Sequence, residues 1–525
     1  MPTLSIDDCT VTVPEGTTIL LAAQQVGVAI PTLCHRPTLP SLPGCMVCAV
    51  CEESADNRVV PACATRVAEG MRIRTTAPAA LALRRAMLQL LLSNHAADCE
   101  APCQLACPCH FDIPRMLGHL AQGEADAALA VVLAELALPV TLGCICPAPC
   151  EKACRRGVLE APVAICAAKR LAGTQGAATR PPVAESGRRV VVVGAGPLGL
   201  AAAFYLRGCG HTCHVVEATP QIGAALQART EGRLPAAAQA VDVARLRAAG
   251  VTFTTGTPVS PDQVRHLLAT HDALVLAAGA DAAPLAEALG LAVSQGLVMA
   301  DRNTHQTANP QVFTGGAAMQ NCRLAVLACA HGRRLALQLD AWLRTGQTRP
   351  AQPARFRSRA GALTRAVLEG WRTGTDDARH LPPAGGVPAV ALALADVRLE
   401  AARCLHCNCA KSDTCHLREL CTALGVTAPG LAGTHTSPTR VQIGAGVVLE
   451  AEKCVLCGIC VRTAAQMAGA IGPAFHGRGF EMRIGPPLGR TWADVPPAVL
   501  AACVAACPTG CLAQRESKGG AACRS

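Results

Sequence analysis

Cysteine is the residue type with the clearest chemistry in this sequence. The chain has 525 residues and 31 cysteines, many of them at short spacings from one another. Disulfide scaffolds of high cysteine density are small and secreted, whereas grouped cysteines in a large chain are typical of metal ligands. The opening residues, Met-Pro-Thr-Leu-Ser-Ile-Asp-Asp, lack the basic start and apolar core of a signal peptide, so we expect a cytoplasmic protein.

The first group of cysteines has one close pair between two more distant partners. It follows the pattern C-x10-C-x2-C-x14-C and consists of Cys34, Cys45, Cys48 and Cys63. A loop with such a pair can wrap a small iron–sulfur cluster. Zinc is the alternative, but zinc sites usually contain two close pairs. The spacing therefore predicts an iron–sulfur site.

Two further groups lie toward the end of the sequence. Cys404, Cys407, Cys409 and Cys415 follow C-x2-C-x-C-x5-C, and four thiolates so close can hold one cubane, with zinc as the alternative. Cys454, Cys457, Cys460 and Cys507 follow C-x2-C-x2-C-x46-C. We assign this last group to one [4Fe–4S] cluster.

A nucleotide-binding motif lies in the middle of the chain. A run of valines leads into Gly194-Ala-Gly196-Pro-Leu-Gly199 and then a helical pattern. The three glycines give a tight turn, close approach of the backbone to a pyrophosphate, and close helix packing. Glu217 ends the next strand, at the right distance to bind the ribose hydroxyls. The motif predicts a dinucleotide site.

These sites require a multidomain α/β protein. We predict a domain of short strands over residues 1–80, a helical domain over 81–185 and a nucleotide domain over 186–345. A linker with short helices covers 346–400, a cysteine-rich motif 401–430 and a ferredoxin-type domain 436–525. No period of 20–50 residues repeats, which argues against a solenoid.

The two ends of the chain resemble the large Fe–S subunit of NADH:quinone oxidoreductase and of related hydrogenases. The likeness rests on Pro31-Thr-Leu-Cys34, Pro61-Ala-Cys63 and Glu69-Gly-Met-Arg72, and on the Cys454 pattern with Arg478-Gly-Phe before Cys507. The resemblance implies a β-grasp [2Fe–2S] domain at the start and a ferredoxin-type [4Fe–4S] region at the end.

The middle of the chain resembles the glutamate synthase small subunit and dihydropyrimidine dehydrogenase. The supporting residues are Cys107-Pro, Asp112-Ile-Pro114, Cys146-Pro-Ala-Pro-Cys150-Glu and Pro162-Val-Ala-Ile165. The resemblance implies a helical domain with two [4Fe–4S] clusters, one on Cys99, Cys103 and Cys154 and the other on Cys107, Cys146 and Cys150. Each set is one ligand short. His95 is a candidate for the first, because the respiratory subunit presents a His-x3-Cys pair, or it is a helix-end histidine; Cys109, Cys144 and Cys166 are candidates for the second.

The same resemblance implies a Rossmann-like FAD domain. Leu274-Val-Leu-Ala-Ala-Gly279 and Gln311-Val-Phe-Thr-Gly315-Gly316 match its later motifs. Family members insert an NAD(P)H domain between these motifs, but here the gap is only about 35 residues, too short for a second βαβ-based domain. The acid that follows the Gly-Gly pair in the family is Ala317 here. We expect FAD without a nicotinamide site.

The composition excludes other classes of function. Mean hydropathy is +0.30 because alanine is abundant, and we expect no transmembrane segment. A net charge of +10 is not gathered into a basic block, and aromatic residues make up only 2% of the chain, so we expect no nucleic acid partner. No residue is a convincing acid–base or nucleophilic catalyst.

Three functions remain open at this point. The first is an electron-transfer subunit that passes electrons between FAD and several Fe–S clusters, with a formate dehydrogenase, a hydrogenase or an NADH-oxidising flavoprotein as partner. The second is a self-contained NAD(P)H-dependent oxidoreductase, by analogy of fold. The third is a non-catalytic assembly scaffold whose flavin site has decayed.

Overall fold

The computed structural model describes residues 1–177, 183–322, 324–350, 354–372, 381, 393–431, 438–444, 446–467 and 471–515. The strands are β1 (Thr3–Ile6), β2 (Cys9–Thr12), β3 (Ala49–Glu52), β4 (Arg58–Pro61), β5 (Arg72–Arg74), β6 (Arg189–Val193), β7 (Thr212–Val216), β8 (Thr252–Thr254), β9 (Ala273–Leu276), β10 (Val293–Ser294), β11 (Leu297–Val298), β12 (Val312–Thr314), β13 (Val441–Gly444), β14 (Val447–Leu449), β15 (Ala474–His476), β16 (Arg483–Gly485) and β17 (Leu512–Gln514).

The helices are α1 (Ile19–Gln25), α2 (Pro78–Ser93), α3 (Pro102–Ala106), α4 (Ile113–Ala121), α5 (Ala125–Glu135), α6 (Pro139–Ile145), α7 (Pro149–Lys152), α8 (Ile165–Gln175), α9 (Pro197–Arg207), α10 (Ala224–Arg229), α11 (Ala236–Ala248), α12 (Pro261–Thr270), α13 (Ala282–Ala288), α14 (Ala325–Thr345), α15 (Arg365–Gly370), α16 (Leu394–Ala402), α17 (His416–Ala423), α18 (Ile459–Gln466) and α19 (Pro497–Ala506). Short 3-10 turns lie between several of them.

The chain divides into two compact units, and both are discontinuous in sequence. The first unit contains residues 1–100, 353–373 and 408–525, and the second contains residues 101–352 and 374–407. In sequence, the second unit is inserted between residues 100 and 408 of the first, and residues 353–373 of the first unit divide it into two segments. Its ends fall directly after Cys99-Glu100 and directly before Asn408-Cys409.

A five-stranded sheet forms the N-terminal part of the first unit. The strand order is β2-β1-β5-β3-β4, with β1 and β5 parallel and the other neighbours antiparallel. The alternating apolar side chains of β1 point into a core shared with α1, which contains Leu4, Ile6 and Ile19. Thr18 caps α1 by accepting a hydrogen bond from the backbone N–H of Leu21. This sheet positions the loop that carries Cys34, Cys45 and Cys48.

The C-terminal part of the first unit is built on a smaller sheet. Strands β13, β14 and β17 are antiparallel, and helices α18 and α19 pack on them around Val447, Val499 and Cys503. A separate core joins α2, α17 and the loop around Cys34, with Leu88 and Leu420 buried in it. Both cysteine-bearing ends of the first unit therefore share apolar contacts within that unit.

The second unit combines a helical part with a parallel sheet. The sheet has the order β12-β9-β6-β7-β8, with every neighbouring pair parallel. The valines of β6 are buried on both faces, as expected of a central parallel strand. Helices α9 and α14 pack together on the sheet, and one continuous core runs from there to helices α4, α5, α6 and α8.

The segment between the two later nucleotide motifs is short, as predicted. Residues 279–311 are all described, and they contain only one 3-10 turn, helix α13 and the hairpin β10–β11. A second strand–glycine loop–helix unit does not occur in them.

The described helices differ in length and in apolar content. No single one of them is both long enough and apolar enough to cross a bilayer, although α5 and α6, which bend by 82° at their junction, meet both conditions when taken together.

Candidate functional site

The thiols of the N-terminal cysteine group lie together as two contacting pairs. Hydrogen bonding to Cys45 lowers the pKa of the Cys34 thiol to about 5, and hydrogen bonding to Cys63 lowers the pKa of Cys48 to about 7. The Cys34 charge also acts on Cys48 and Cys63, so the pairs face each other. All four are buried. The structure thus brings together the four residues that the sequence predicts.

Two arginines of the first unit lie beside this group. Arg84 of α2 is buried and donates from Nε to the Ala49 carbonyl at 2.8 Å, and its charge acts on Cys48. Its Nη2 is buried without a hydrogen-bond partner among the described residues. Arg462 donates from Nη2 to the Cys34 carbonyl at 2.6 Å and to the Cys457 carbonyl at 3.4 Å. No local sequence pattern singles out either arginine.

The second C-terminal group also comes together in the first unit. Burial, together with the neighbouring thiols of Cys507, Cys454 and Cys34, raises the pKa of Cys457 to about 12. The pKa of Cys460 is likewise raised by burial and by Cys503, Cys457, Cys454 and Cys507. Cys511 hydrogen-bonds to Cys454 and lowers its pKa. The predicted set is therefore grouped, with Cys503 and Cys511 as close neighbours.

A third group in the first unit draws its members from both sides of the insertion. The backbone N–H of Cys409 donates to the Cys99 carbonyl at 3.3 Å. Burial, together with the neighbouring thiols of Cys409 and Cys99, raises the pKa of Cys415 to about 12. The backbone N–H of Ser358 donates to the Cys99 sulfur at 3.4 Å. Cys99, Cys409 and Cys415 thus form one cluster of thiols.

His95 belongs to the same neighbourhood. Burial, and then the charge of Lys453, lower the pKa of the His95 imidazole to about 4, and the ring hydrogen-bonds to the Lys453 backbone. Nδ1 is buried without a hydrogen-bond partner among the described residues. The charge of Lys453 also acts on Cys409. A neutral imidazole with an unpartnered ring nitrogen is a suitable metal ligand.

A fourth group lies in the second unit. Burial raises the pKa of the Cys103 thiol well above its ordinary value, and the thiols of Cys154, Cys404 and Cys407 raise it further. Helix α16, which precedes Cys404, packs on α4 and α8. Arg403 at its end is fully buried and donates to Glu400 and to the Ala161 carbonyl. These contacts hold Cys404 and Cys407 against the helical part.

The grouping differs from the predicted one at two places. The prediction places Cys99 with Cys103 and Cys154, but Cys99 belongs to the first unit and the other two to the second. The motif of Cys404, Cys407, Cys409 and Cys415 is divided between the units after Cys407. Spacing alone could not reveal this boundary between the units, because only Asn408 separates Cys407 from Cys409.

A fifth group of thiols is also in the second unit. Cys146 hydrogen-bonds to Cys166, and Cys166 in turn to Cys150. Cys107 hydrogen-bonds to Cys109, which also contacts Cys329. Of the three spare cysteines that the sequence offers, Cys109 and Cys166 lie here. Cys144 is half-buried and lies 3.9 Å from Nη1 of Arg170 instead.

The nucleotide loop has the backbone geometry that the glycine spacing predicts. Gly194 has a φ of +107°, and a Cβ there would lie 2.6 Å from the Ala277 carbonyl oxygen. A Cβ at Gly199 would lie 2.1 Å from the Gly194 oxygen. A Cβ at Gly196 would meet no atom within 4 Å, so this glycine faces open space at the N-terminus of α9. Open space at that point fits a dinucleotide pyrophosphate.

Glu217 closes the loop from the end of β7. One oxygen accepts from the backbone N–H of Ala195 at 2.7 Å, and the other accepts from the N–H and hydroxyl of Thr219. The carboxylate is therefore fixed beside the glycine loop, where it can reach the ribose hydroxyls of a bound dinucleotide.

The later motifs lie at the same end of the sheet. Gly279 follows β9 at a φ of +63°, and Gly315 and Gly316 follow the neighbouring strand β12. The backbone N–H of Gly316 donates to Nδ1 of His331 at 3.2 Å. Parallel strands place their carboxyl ends at one edge, where nucleotides bind in such sheets. Ala317 has no polar side chain to hold a ribityl chain.

No disulfide links the cysteines of the described chain. Within those same residues, no three His, Cys, Asp or Glu side chains converge on one point, as ligands of a single metal ion would. Iron–sulfur clusters place each ligand on its own iron atom, so their thiolates surround a cage rather than a point. Each of the five groups offers at least three thiols, buried or half-buried, and such a set of donors fits a cage.

Three protein-family models match successive parts of the chain. The 2Fe-2S iron-sulfur cluster binding domain matches residues 1–78. The dihydropyrimidine dehydrogenase domain II, with a 4Fe-4S cluster, matches residues 91–180. The pyridine nucleotide-disulphide oxidoreductase domain matches residues 164–332. The chain therefore combines [2Fe–2S], [4Fe–4S] and flavin-dependent oxidoreductase domains, as the sequence predicts.

Curated relatives match in parts. The NADP(+)-dependent formate dehydrogenase subunit beta of Moorella thermoacetica is 33% identical over 207 residues, 34% of this chain and 29% of the relative. An NADH-quinone oxidoreductase subunit of Rhizobium meliloti is 43% identical over 96 residues, 18% of this chain and 11% of the relative. The glutamate synthase [NADPH] small chain of Mycobacterium tuberculosis is 35% identical over 196 residues, 35% of this chain and 40% of the relative.

These matches confirm two resemblances, to the NADH:quinone oxidoreductase Fe–S subunit and to the glutamate synthase small subunit. The chain spans less than half the length of each of these three relatives. The similarity is therefore one of domains, and it supports an oxidoreductase with iron–sulfur and flavoprotein-type parts.

The two glycines Gly196 and Gly199 give a matched test of the nucleotide site. Gly196→Ala adds a methyl group in open space, so we expect normal thermal stability but a loss of flavin. Gly199→Ala forces a methyl group against backbone, so we expect destabilisation by about 1–3 kcal/mol. Thermal unfolding and flavin absorbance of the purified variants measure both effects. A Gly196→Ala protein that keeps its full flavin content would contradict the assignment of this glycine loop as the pyrophosphate site.

Proposed function

We propose that this chain is an electron-transfer subunit that passes electrons between FAD and several Fe–S clusters within a larger redox complex. One observation carries the proposal. Within the second unit, a single apolar core contains thiols of two cysteine groups together with the strand β6, the glycine loop and helix α14 of the nucleotide fold. Cys109 donates to the carbonyl of Val326 in α14. Thiols and nucleotide fold are thus packed as one body.

The finer fold assignments are part of the proposal. The five-stranded sheet with α1 supports a β-grasp [2Fe–2S] domain. The parallel sheet with the glycine loop supports a Rossmann-like FAD domain without the inserted NAD(P)H domain. The C-terminal sheet with α18 and α19 supports a ferredoxin-type region. We take the helical part of the second unit as the [4Fe–4S] domain.

The five thiol groups give the ligand sets. The [2Fe–2S] cluster takes Cys34, Cys45, Cys48 and Cys63. The [4Fe–4S] clusters of the first unit take Cys454, Cys457, Cys460 and Cys507, and His95, Cys99, Cys409 and Cys415. Those of the second unit take Cys103, Cys154, Cys404 and Cys407, and a set built on Cys107, Cys146 and Cys150. Contacts and burial support each set.

The residues of this chain bind and insulate these groups rather than act as acids or bases. FAD supplies the exchange of an electron pair for single electrons, and the clusters carry single electrons. The backbone N–H groups at the start of α9 would bind the pyrophosphate of a dinucleotide, and Glu217 would bind its ribose. Arg84, Arg462 and Lys453 place positive charge beside thiolates, which favours their ionised form. Burial of the thiols excludes water from the ligands.

The substrate chemistry then belongs to partners. The chain between Gly279 and Gln311 offers no second dinucleotide fold, so a nicotinamide would have to be oxidised elsewhere. One relative is by name a formate dehydrogenase subunit. We propose a formate dehydrogenase, a hydrogenase or an NADH-oxidising flavoprotein as partner of a soluble, cytoplasmic complex, without nucleic acid or a transmembrane segment of its own.

Reduction by NADPH separates this function from a self-contained oxidoreductase. We expect the anaerobic full-length protein to be yellow-brown and to be bleached by dithionite, while NADPH or NADH alone leaves the flavin oxidised. Absorbance at the flavin band measures both reactions. Rapid bleaching by NADPH alone would reject the electron-transfer subunit in favour of the self-contained enzyme. A protein with iron but no flavin would support the assembly scaffold instead.

The ligand sets on either side of Asn408 can be separated by substitution. Cys407→Ala removes a ligand in the second unit, and Cys409→Ala removes one in the first. We therefore expect the two variants to lose different EPR signals of the reduced protein. Cys9→Ala, at an exposed thiol outside the five groups, serves as the control and should change neither. Loss of the same signal in both variants would contradict the two separate ligand sets. It would support one cluster held by Cys404, Cys407, Cys409 and Cys415, as the spacing predicts.

A further inference from the structure

Lys169 is a buried cation that the electron-transfer proposal leaves unexplained. Its side chain is only 2% exposed, and Nζ lies 4.0 Å from the Cys166 sulfur. The electrostatic partners of this ammonium are thiols, and within the described chain no carboxylate forms an ion pair with it. A buried, unpaired ammonium costs several kcal/mol. Its burial therefore indicates an anionic group at this place.

The thiols around Lys169 identify that group. Burial lowers the pKa of Lys169, but Cys166, Cys146, Cys150 and Cys107 outweigh burial and raise it above its ordinary value. Thiols that coordinate iron are deprotonated outright. Four thiolates around a cluster supply the negative charge that pairs with the ammonium. Because Cys166 and Lys169 are three residues apart on α8, both face the same side of that helix.

Cys166 is better placed than Cys109 to complete the ligand set. Cys166 is buried between Cys146 and Cys150 and contacts both. Its backbone is fixed, because its N–H donates to the Glu151 carboxylate at 2.8 Å. Of the thiols of Cys107, Cys146 and Cys150, the Cys109 sulfur contacts only Cys107. It also contacts Cys329 and donates to the Val326 carbonyl at 3.4 Å. Cys109 therefore already has partners in α14.

We infer that Cys107, Cys146, Cys150 and Cys166 hold one [4Fe–4S] cluster and that the fixed positive charge of Lys169 raises the reduction potential of that cluster. The inference rests on the proposed function, since it requires iron–sulfur clusters in the second unit. Reduction adds one electron to the cluster and one unit of negative charge beside the ammonium. A fixed positive charge stabilises that reduced state, and cluster potentials follow net local charge. In the described chain, the main electrostatic partners of Cys103 in the neighbouring set are thiols and include no lysine.

The ligand assignment is tested by iron analysis and EPR of the anaerobic full-length protein. We expect Cys166→Ala to lose between one and about four iron atoms per chain and to alter one [4Fe–4S] signal. Cys109→Ala should keep the iron content and every signal. Loss of iron in Cys109→Ala, or an unchanged Cys166→Ala protein, would overturn the assignment.

The charge is tested by variants that keep all cysteines. We expect Lys169→Met to lower the midpoint potential of one [4Fe–4S] cluster in an EPR-monitored redox titration, and Lys169→Arg to restore it. Lys152→Met is the matched control, because Lys152 lies on α7 between Cys150 and Cys154 but is exposed and screened by water. Equal potentials in the Lys169→Met and wild-type proteins would contradict the role of Lys169. Iron analysis of the wild-type protein tests the proposed function separately, because a wild-type protein without iron would contradict that function whatever the variants show.

Discussion

Burial of thiols in groups is the constraint on which the rest of this structure depends. Without metal, burial and neighbouring thiols raise the pKa of Cys457 and Cys415 to about 12, so both would be neutral and would merely pack. Coordination of iron reverses this preference, because a bound thiolate loses its proton. Buried cations such as Lys169 and Arg84 would then be paired with anionic ligands instead of facing neutral thiols. Folding and cluster assembly are therefore linked, and the clusters contribute to stability.

The insertion of one unit into the other gives this linkage a second consequence. The second unit begins directly after Cys99 and Glu100. After its last segment, residues 374–407, the first unit resumes at Asn408 and Cys409. In the proposed assignment, Cys99 and Cys409 bind the same cluster. That cluster would therefore link the two segments of the first unit that flank the insertion. The next cysteines across the two boundaries are Cys103 and Cys407. In the same assignment, both bind one cluster of the second unit. The two ligand sets are thus consecutive in the chain at Cys407-Asn408-Cys409.

The sequence predicts those features of the candidate sites that depend on residues close together in the chain. The C-x10-C-x2-C-x14-C spacing predicts the Cys34 group because one loop carries three of its members. The glycine loop and Glu217 are predictable because each glycine has a separate steric task, which the positions of Gly194, Gly196 and Gly199 bear out. The shortness of the segment between Gly279 and Gln311 is evident from the sequence itself. Each of these depends on residues close in sequence.

The remaining features depend on contacts between distant residues. Spacing could not divide Cys407 from Cys409, because only tertiary structure shows that a unit boundary runs between them. Lys169 stands in an alanine-rich helical segment where a lysine usually faces solvent, and its burial among thiols depends on helices α6 and α8 packing together. His95 likewise lies beside Lys453, far along the chain, and its Nδ1 is buried without a hydrogen-bond partner in the described chain.

Metal and sulfide analysis of the anaerobically purified full-length protein tests the central claim most directly. One [2Fe–2S] and four [4Fe–4S] clusters contain two plus sixteen iron atoms, so the account predicts about 18 iron atoms and about 18 acid-labile sulfides per chain. A folded protein that contains zinc in place of iron, or iron without acid-labile sulfide, would contradict it.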